Sequence, residues 1–337
     1  MSRRIISTWL CLDDKHEESV YYQVGSKSSS PEFQKVYWRC IFDFFAYNKR
    51  FNTDYEYILF VNKRVGNILI DKINIIEELE KLNVNIIDIP FTYKLPNGYY
   101  NAWHNQLFEL DIFQYCTKLF NNDDIILLLD SDCIITSSLS ELFDLCDSKG
   151  CITYIIDHPL EYNINGITRI QMKSLFEELT GSSLNIVPTY HGGEFAMLKI
   201  HSLNNIIKEF EPVFDKMVDK FNCGENVKFN EEAHFLSFLY YINGFSGGEA
   251  NAFIKRMWNA PRYYNIQKDD FKFAIWHLPA SKKSGFKKLF ENYDEYRKLS
   301  NEKYLELIKQ LFLKRDMVAK RYAFLLVDRF SKSLNRY

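Results

Sequence analysis

The sequence lacks the features of a secreted, disulfide-bonded protein. Its seven cysteines are an odd number and include no Cys-x-x-Cys pair, which favours neither a disulfide framework nor a thiolate zinc site. No stretch approaches the roughly 20 apolar residues that a membrane span requires. The N-terminal Met-Ser-Arg-Arg-Ile-Ile leads into a strand-like run without the apolar region of a signal peptide. These absences predict a cytoplasmic protein that at most rests on a membrane surface.

An excess of charge of one sign is also absent. Lys and Arg number 42 against 44 Asp and Glu, so the chain carries no strong field that would indicate a nucleic-acid partner. The 337 residues are 47% hydrophobic, which is enough to bury a large core. We therefore expect a globular protein that binds no nucleic acid.

Basic charge is concentrated in the tail. Residues 311–337 contain seven basic side chains and two acidic ones; the basic ones are Lys314, Arg315, Lys320, Arg321, Arg329, Lys332 and Arg336. Apolar residues lie among them, so this segment can form a helix that makes peripheral contact with an anionic membrane or docks on the rest of the protein. We predict a main domain over residues 1–290 and a C-terminal helical extension over residues 291–337.

Short apolar runs alternate with helical patterns in the first half of the chain, as in a parallel sheet covered by crossover helices. Strands are predicted at residues 4–12, 55–61, 84–89, 125–129, 151–156, 194–200, 252–258 and 271–277. Helices are predicted at residues 33–47, 103–120, 138–145, 169–179, 202–220 and 230–241. Ser138 and Glu141 have the spacing of a capping box. The pattern predicts an α/β fold with a mostly parallel central sheet flanked by helices.

The triplet Asp130-Ser131-Asp132 follows the most apolar of these runs, residues 125–129, which reads as a central strand buried on both faces. Open α/β sheets bind ligands at the carboxyl ends of such strands. Carboxylates at i and i+2 of an extended chain point to one side and are hard ligands for Mg²⁺ or Mn²⁺. A solvated turn is the alternative, but the apolar chain resumes at once. We predict that Asp130 and Asp132 bind a divalent metal ion.

Three segments in order resemble glycosyltransferases with the nucleotide-diphospho-sugar fold called GT-A. The strand that ends in Asp130-Ser131-Asp132 resembles their Asp-x-Asp signature. His191-Gly192-Gly193-Glu194-Phe195 resembles the glycine-containing turn and strand on the acceptor side. Asn230-Glu231-Glu232-Ala233-His234-Phe235-Leu236 resembles the acid-rich helix start of the retaining blood-group-type transferases and, more loosely, of the lipopolysaccharide galactosyltransferase and glycogenin group. The resemblance covers residues 4–285.

This resemblance implies the transfer of a hexose from a nucleotide diphosphate sugar donor to a glycan or glycolipid acceptor, with Mn²⁺ or Mg²⁺ and with retention of configuration. It places Glu232, with Glu231 beside it, near the anomeric carbon of the donor. Helix capping is the alternative for both acids. It also implies His277 as a third metal ligand and Lys282 or Lys283 as a diphosphate contact. The chain departs from that group in having Leu278-Pro279 after this histidine and no Lys-Pro-Trp.

The remaining candidates lie at the ends of strands. Thr8, Trp9 and Ser131 are predicted to contact the donor, with a core position as the alternative for Trp9. The predicted acceptor-side residues are His191, Gly192, Gly193, Glu194, Asp157 and His158. The Gly-Gly pair permits close approach of the backbone to a ligand, although a plain turn needs the same residues.

Two other functions remain open from the sequence. Phosphatases of the haloacid dehalogenase kind also carry Asp-x-Asp after an apolar strand, but near the N-terminus and with Thr or Val where this chain has Ile134. The second alternative is a carbohydrate-binding protein that has kept the fold and lost catalytic turnover.

Overall fold

The computed structural model describes residues 2–21 and 23–312 of the chain. Its strands are β1 (Arg4–Leu10), β2 (Val20–Tyr21), β3 (Ser26–Lys27), β4 (Glu56–Val61), β5 (Leu69–Ile70), β6 (Ile73–Asn74), β7 (Val84–Asp88), β8 (Ile125–Leu129), β9 (Cys133–Ile135), β10 (Cys151–Ile152), β11 (Phe195–Lys199), β12 (Ile254–Arg256) and β13 (Ile275–His277). Its α-helices are α1 (Pro31–Asn48), α2 (Ile75–Lys81), α3 (Phe108–Leu119), α4 (Ser140–Lys149), α5 (Arg169–Thr180), α6 (Ile200–Asn222), α7 (Glu232–Ile242), α8 (Lys287–Glu291), α9 (Tyr293–Tyr296) and α10 (Asn301–Phe312). Short 3₁₀ or π turns lie at His104–Leu107, Glu249–Ala252, Pro261–Tyr263, Lys268–Lys272, Pro279–Ser281 and Lys282–Phe286.

The main sheet has six strands in the order β10-β11-β8-β1-β4-β7. β1 pairs in parallel with both β4 and β8, and β4 pairs in parallel with β7. β11 runs antiparallel to both of its neighbours. Every residue of β8 is buried, because strands pair with both of its edges and helices pack on both faces of the sheet. The predicted α/β fold with a mostly parallel sheet is confirmed, and the strand before the acidic triplet lies inside that sheet.

Separate hydrophobic cores cover the two faces of the sheet. Successive residues of β1 alternate between them, with Ile5 in the first core and Ile6 in the second. The first core contains side chains of α3, α5, α6 and α7, such as Phe113 and Phe235. The second contains side chains of α1, α2 and α4, such as Phe44. The sheet is therefore the middle of three layers.

A smaller sheet joins the second half of the chain to the end of β8. Its order is β12-β13-β9, with β13 antiparallel to β9. His277 pairs with Cys133, the residue that follows the acidic triplet. The amide of Leu278 donates to the carbonyl of Asp132 over 3.0 Å. This register places the end of β13 directly beside the triplet.

The described part of the C-terminal extension packs on α1. Tyr304 of α10 is buried and stacks on Tyr47 of α1, with ring centroids 5.2 Å apart. Arg50 donates to the carbonyls of Tyr296 and Leu299 over 3.0 and 2.8 Å. The basic residues of the predicted membrane contact fall within 313–337, outside the described residues. The boundary at residue 290 stays a prediction. Among the described helices, none is long and apolar enough to cross a membrane.

The capping box predicted at Ser138 is wrong. α4 begins at Ser140, its N-cap residue is Leu139, and the Ser138 hydroxyl accepts from the Ser140 amide over 3.2 Å without the reciprocal bond from Glu141 that a capping box needs. Leu139 sets this start, because its side chain is buried in the second core and its amide donates to Asn52 Oδ1 over 2.9 Å. A capping box does form at α5, where the Thr168 hydroxyl accepts from the Gln171 amide and the Gln171 side chain accepts from the Thr168 amide.

Three predicted strands are less than half as long as expected. The ladder of the strand predicted over 151–156 covers only Cys151–Ile152, and an isolated bridge joins Ile155 to His191 beyond it. The strand predicted over 252–258 covers only Ile254–Arg256. The strand predicted over 271–277 covers only Ile275–His277, because Gln267 and Asp270 cap a 3₁₀ turn just before it.

Thr168→Ala should lower the free energy of unfolding by about 1 kcal/mol, because it removes the capping box of α5. Ser138→Ala should change it by less than about 0.5 kcal/mol, because the Ser138 hydroxyl is exposed and accepts one long hydrogen bond from the Ser140 amide, which water can replace. Urea unfolding of the two variants beside the unchanged protein measures both effects. An equal loss in both variants would contradict the start of α4 described above.

Candidate active site

A cleft of about 270 Å³ opens at the carboxyl ends of β1 and β8. Its lining residues come from the end of β1, the acidic triplet, residues 158–165, the start of α7 and the segments at the ends of β12 and β13. This is the edge at which open α/β sheets bind ligands. Five carboxylates of the described chain line it: Asp130, Asp132, Glu194, Glu231 and Glu232. Arg256 and Lys282 are the facing cations, so the carboxylates outnumber them.

Asp130, Asp132 and His277 form a group that can hold a metal ion. One ligand atom from each lies within 4.8 Å of the others. His277 Nε2 is 3.5 Å from Asp130 Oδ2 and 3.4 Å from Asp132 Oδ2. The strand pairing of β13 with β9 produces this arrangement, since it puts His277 opposite the residue after Asp132. The three predicted metal ligands are therefore brought together.

Glu194 orients the side chain of His277. Its Nδ1 lies 3.0 Å from Glu194 Oε1, which makes Nδ1 the donor and turns Nε2 toward the two aspartates. His277 Nε2 is buried and makes no hydrogen bond within residues 2–21 and 23–312. A buried imidazole nitrogen without a partner, aimed at two hard oxygen ligands, fits a divalent cation such as Mn²⁺ or Mg²⁺.

Glu194 and Lys282 connect this group to further charges. Arg256 Nε donates to Glu194 Oε1 over 2.6 Å, and a second guanidinium nitrogen contacts the other oxygen of that carboxylate. Lys282 Nζ forms a buried ion pair with Asp132. Burial opposes ionisation of Asp132, but Lys282 and His277 outweigh it and lower the pKa of Asp132. Burial and the neighbouring Asp132 raise the pKa of Asp130 to about 6.

The two acids at the start of α7 have different surroundings. Glu231 accepts from the Tyr190 hydroxyl over 2.8 Å and from the Asn165 side chain, and burial raises its pKa to about 7. Glu232 is also buried, and its Oε2 has no hydrogen-bond partner among the residues that the structure describes. Burial, followed by the charge of Glu231, raises the pKa of Glu232 well above its usual value. Glu232 is thus the acid with free bonding capacity.

The Gly192-Gly193 pair makes room for carboxylates. A Cβ at Gly193 would collide with Glu232 Oε1, and a Cβ at Gly192 would collide with Glu194 Oε2. Neither glycine has a positive φ, so close approach is the reason that glycine is needed. The sequence predicted close approach to a ligand, whereas the structure shows close approach to the acids of the site.

Most predicted site residues line the cleft. They are Trp9, Asp130, Ser131, Asp132, His158, Gly193, Glu194, Glu231, Glu232, His277 and Lys282. Glu194 was predicted on the acceptor side, but its carboxylate lies between His277 and Arg256, where it orients the histidine.

Other predicted residues lie outside the cleft lining. Thr8 is buried within β1, where it pairs with Leu59. Lys283 and Asp157 are exposed, and Asp157 pairs with Arg169. His191 is buried with its ring 5.3 Å from the Tyr240 ring, and Gly192 lies behind the Glu194 carboxylate. These five residues are not among those that line the cleft, and their contacts with donor or acceptor stay predictions.

Arg256 and Glu109 shape the site but were not predicted from the sequence. Arg256 is one cation among several in the second half, and only the fold brings it to Glu194. Glu109 of α3 is buried and accepts from Trp9 Nε1 over 3.0 Å, which fixes the indole at the edge of the cleft. The one available signal for Glu109 was an acid between the apolar residues Phe108 and Leu110 of a predicted helix.

No family model and no curated protein matches the chain. It is similar to solved structures of glycosyltransferases. The galactosyltransferase LgtC, in complex with donor and acceptor sugar analogues, is 12% identical with a TM-score of 0.45, over 94% of this chain and 99% of that chain. Mouse xyloside xylosyltransferase 1 in its apo form is 9% identical with a TM-score of 0.42, over 82% and 97%. The apo bifunctional glycosyltransferase WbbM is 10% identical with a TM-score of 0.45, over 92% and 52%.

Glu194→Gln should weaken Mn²⁺ binding by about 10- to 100-fold, because His277 loses the charged acceptor that orients it. It should also lower the free energy of unfolding by about 3 kcal/mol, because Arg256 loses its partner carboxylate. Isothermal titration with Mn²⁺ and urea unfolding measure the two effects. Asp123→Asn, at a side chain that is 84% exposed, is the matched control and should change neither. Unchanged Mn²⁺ affinity in Glu194→Gln would contradict the role given to Glu194.

Proposed function

We propose that the protein is a metal-dependent glycosyltransferase that moves a hexose from a nucleotide diphosphate sugar to a glycan or glycolipid acceptor. The observation that carries this proposal is the group of Asp130, Asp132 and His277, with Lys282 beside it, at the carboxyl end of the central strand. A site of hard ligands next to a lysine suits a cation that binds a diphosphate.

The charge of the cleft supports a donor that arrives with a cation. Five carboxylates face Arg256 and Lys282, and burial together with the neighbouring negative charges raises the pKa values of Asp130, Glu231 and Glu232. A bound divalent cation supplies positive charge that offsets the charge of the diphosphate leaving group. Asp130, Asp132 and His277 would hold that cation, and Mn²⁺ or Mg²⁺ matches this ligand set. Lys282 places a second positive charge beside the diphosphate.

Glu232 is the residue that we assign to the reacting carbon. Its free Oε2 and its burial allow the carboxylate to act on a positively charged anomeric centre, as nucleophile or as stabiliser. The raised pKa favours the protonated form of Glu232 in the empty cleft. Positive charge at the neighbouring metal group would favour its ionised form. Transfer with retention of configuration is proposed from the resemblance around Glu232 to the retaining transferases.

Trp9 is the residue that we assign to the nucleotide. Its indole lies at the edge of the cleft, and the hydrogen bond from Nε1 to Glu109 fixes the orientation of the ring. An oriented aromatic face is suited to packing against a base. The acceptor then enters on the side of Glu231 and Glu232.

Asp132→Asn should abolish the Mn²⁺-dependent rise in melting temperature that the preferred donor produces, because one metal ligand loses its charge. The measurement is a thermal-shift panel of UDP-glucose, UDP-galactose, UDP-N-acetylglucosamine and GDP-mannose, each with and without Mn²⁺. Asp123→Asn serves as the exposed control and should keep the shift. A full shift in Asp132→Asn would contradict the metal assignment.

Glu232→Gln should lower kcat for donor turnover by a factor on the order of 10² to 10³, with little change in the KM for the donor. Gly193→Ala should reproduce part of this loss, because the added methyl group displaces the Glu232 carboxylate. Release of the nucleotide diphosphate in steady state measures both variants. A Glu232→Gln protein with unchanged kcat would remove Glu232 from the reaction.

A further inference from the structure

The mouth of the cleft carries an aromatic platform that the proposed reaction does not use. Tyr162 lines the cleft and is 50% exposed. One face of its ring lies flat on His158, with centroids 4.9 Å apart and an interplanar angle of 7°. We call Tyr162 and His158 the platform. An exposed tyrosine at a cleft mouth, backed by a second ring, offers a flat apolar surface to a ligand.

The platform is fixed in place by Arg169. The guanidinium of Arg169 donates to the carbonyls of His158 and Pro188 over 2.9 and 3.1 Å. The same side chain pairs with Asp157 at 3.2 Å. These contacts hold His158, and the Tyr162 amide donates to the Pro159 carbonyl over 3.0 Å, so the Tyr162 ring is positioned before any ligand arrives. A pre-positioned surface loses little conformational freedom on binding.

The platform is also uncharged. Burial, followed by the nearby Arg256 and Arg169, lowers the pKa of His158 to about 4. His158 is therefore neutral at neutral pH, and its stack with Tyr162 is a contact of two neutral rings. Such a surface suits the C–H face of a sugar better than it suits an ion or a phosphate.

Contacts lead from the platform to the acids of the site. The His158 ring is 5.5 Å from the Tyr190 ring, and the Tyr190 hydroxyl bonds to Glu231 over 2.8 Å. Glu231 adjoins Glu232 at the start of α7. The platform therefore lies on the side of the reacting carboxylates, at the mouth, whereas Glu232 is buried at the bottom. A sugar that stacks on Tyr162 is therefore not the sugar unit of the acceptor that reacts near Glu232.

A second aromatic pair lies on another part of the rim. Trp258 lines the cleft, and its ring is 5.6 Å from that of Tyr263, which is 52% exposed. Trp258 follows Arg256 by two residues, so this pair is anchored through the Glu194 contact. Flat aromatic faces on two parts of one rim match a ligand with several apolar ring faces.

We propose that Tyr162, supported by His158, is an acceptor subsite that stacks on the C–H face of a sugar beyond the reacting one. The acceptor is then a carbohydrate of at least two units, and a monosaccharide binds without this contact. This inference rests on the proposed function, since it names the acceptor of the same site.

Binding to arrayed mono- and oligosaccharides, in the presence of UDP and Mn²⁺, tests the subsite. The full chain should bind oligosaccharides, and Tyr162→Ala should weaken that binding by about 5- to 10-fold. Tyr162→Phe keeps the ring and should stay within about 2-fold of the unchanged protein. Leu69→Ala, at an exposed side chain of the β5–β6 hairpin, is the control and should have no effect.

Three results would overturn the subsite. Tyr162→Ala could bind oligosaccharides as tightly as the unchanged protein, Tyr162→Phe could lose as much affinity as Tyr162→Ala, or the full chain could bind no oligosaccharide. Hydrolysis of UDP-sugars and GDP-mannose by the same preparation, with Mn²⁺, reports the proposed function separately. Hydrolysis together with any of these three array results rejects the subsite alone. Oligosaccharide binding that depends on the Tyr162 ring, without hydrolysis of any donor, rejects the proposed function and leaves the subsite.

Discussion

The cleft has to balance the charge of its own carboxylates, and the rest of the site depends on how it does so. Arg256 neutralises Glu194 and Lys282 neutralises Asp132, both as close ion pairs. Among the described residues, Asp130, Glu231 and Glu232 pair with no Lys or Arg, although His277 Nε2 lies 3.5 Å from Asp130 Oδ2, and the pKa of each acid is raised. The raised pKa values favour the protonated forms of these acids in the empty cleft. A divalent cation that arrives with the diphosphate would supply positive charge in the loaded cleft.

The fold assembles this balance from distant parts of the chain. β8 delivers the two aspartates, and the short pairing of β13 with β9 delivers His277. Gly192 and Gly193 let the carboxylates of Glu194 and Glu232 approach the backbone of the turn before β11. Apart from the approach of Glu194 to Gly192, these contacts join distant parts of the chain. The small sheet is therefore as important to the site as the large one, and its apolar residues also belong to the hydrophobic cores.

The parts that sequence predicts well are those with strong local patterns. The apolar run of β8 indicates a buried strand, and the acidic triplet after it must lie at the edge of the sheet. Placing His277 at the metal group depended on a family resemblance, because nothing near it in the sequence shows which strand it pairs with. Strand alternation, which is visible in the sequence, puts Thr8 on the face of β1 opposite to Trp9, and of the two only Trp9 lines the cleft. The role of Glu194 and the presence of Arg256 and Glu109 follow from tertiary contacts, which no local pattern encodes.

The proposed chemistry depends on a divalent cation bound by Asp130, Asp132 and His277. Anomalous diffraction from crystals of the protein grown with Mn²⁺ and UDP would locate such a cation. We expect an anomalous peak within bonding distance of His277 Nε2 and of an oxygen of each aspartate. An ordered cleft without a peak there, or a peak bound by other residues, would contradict this metal assignment.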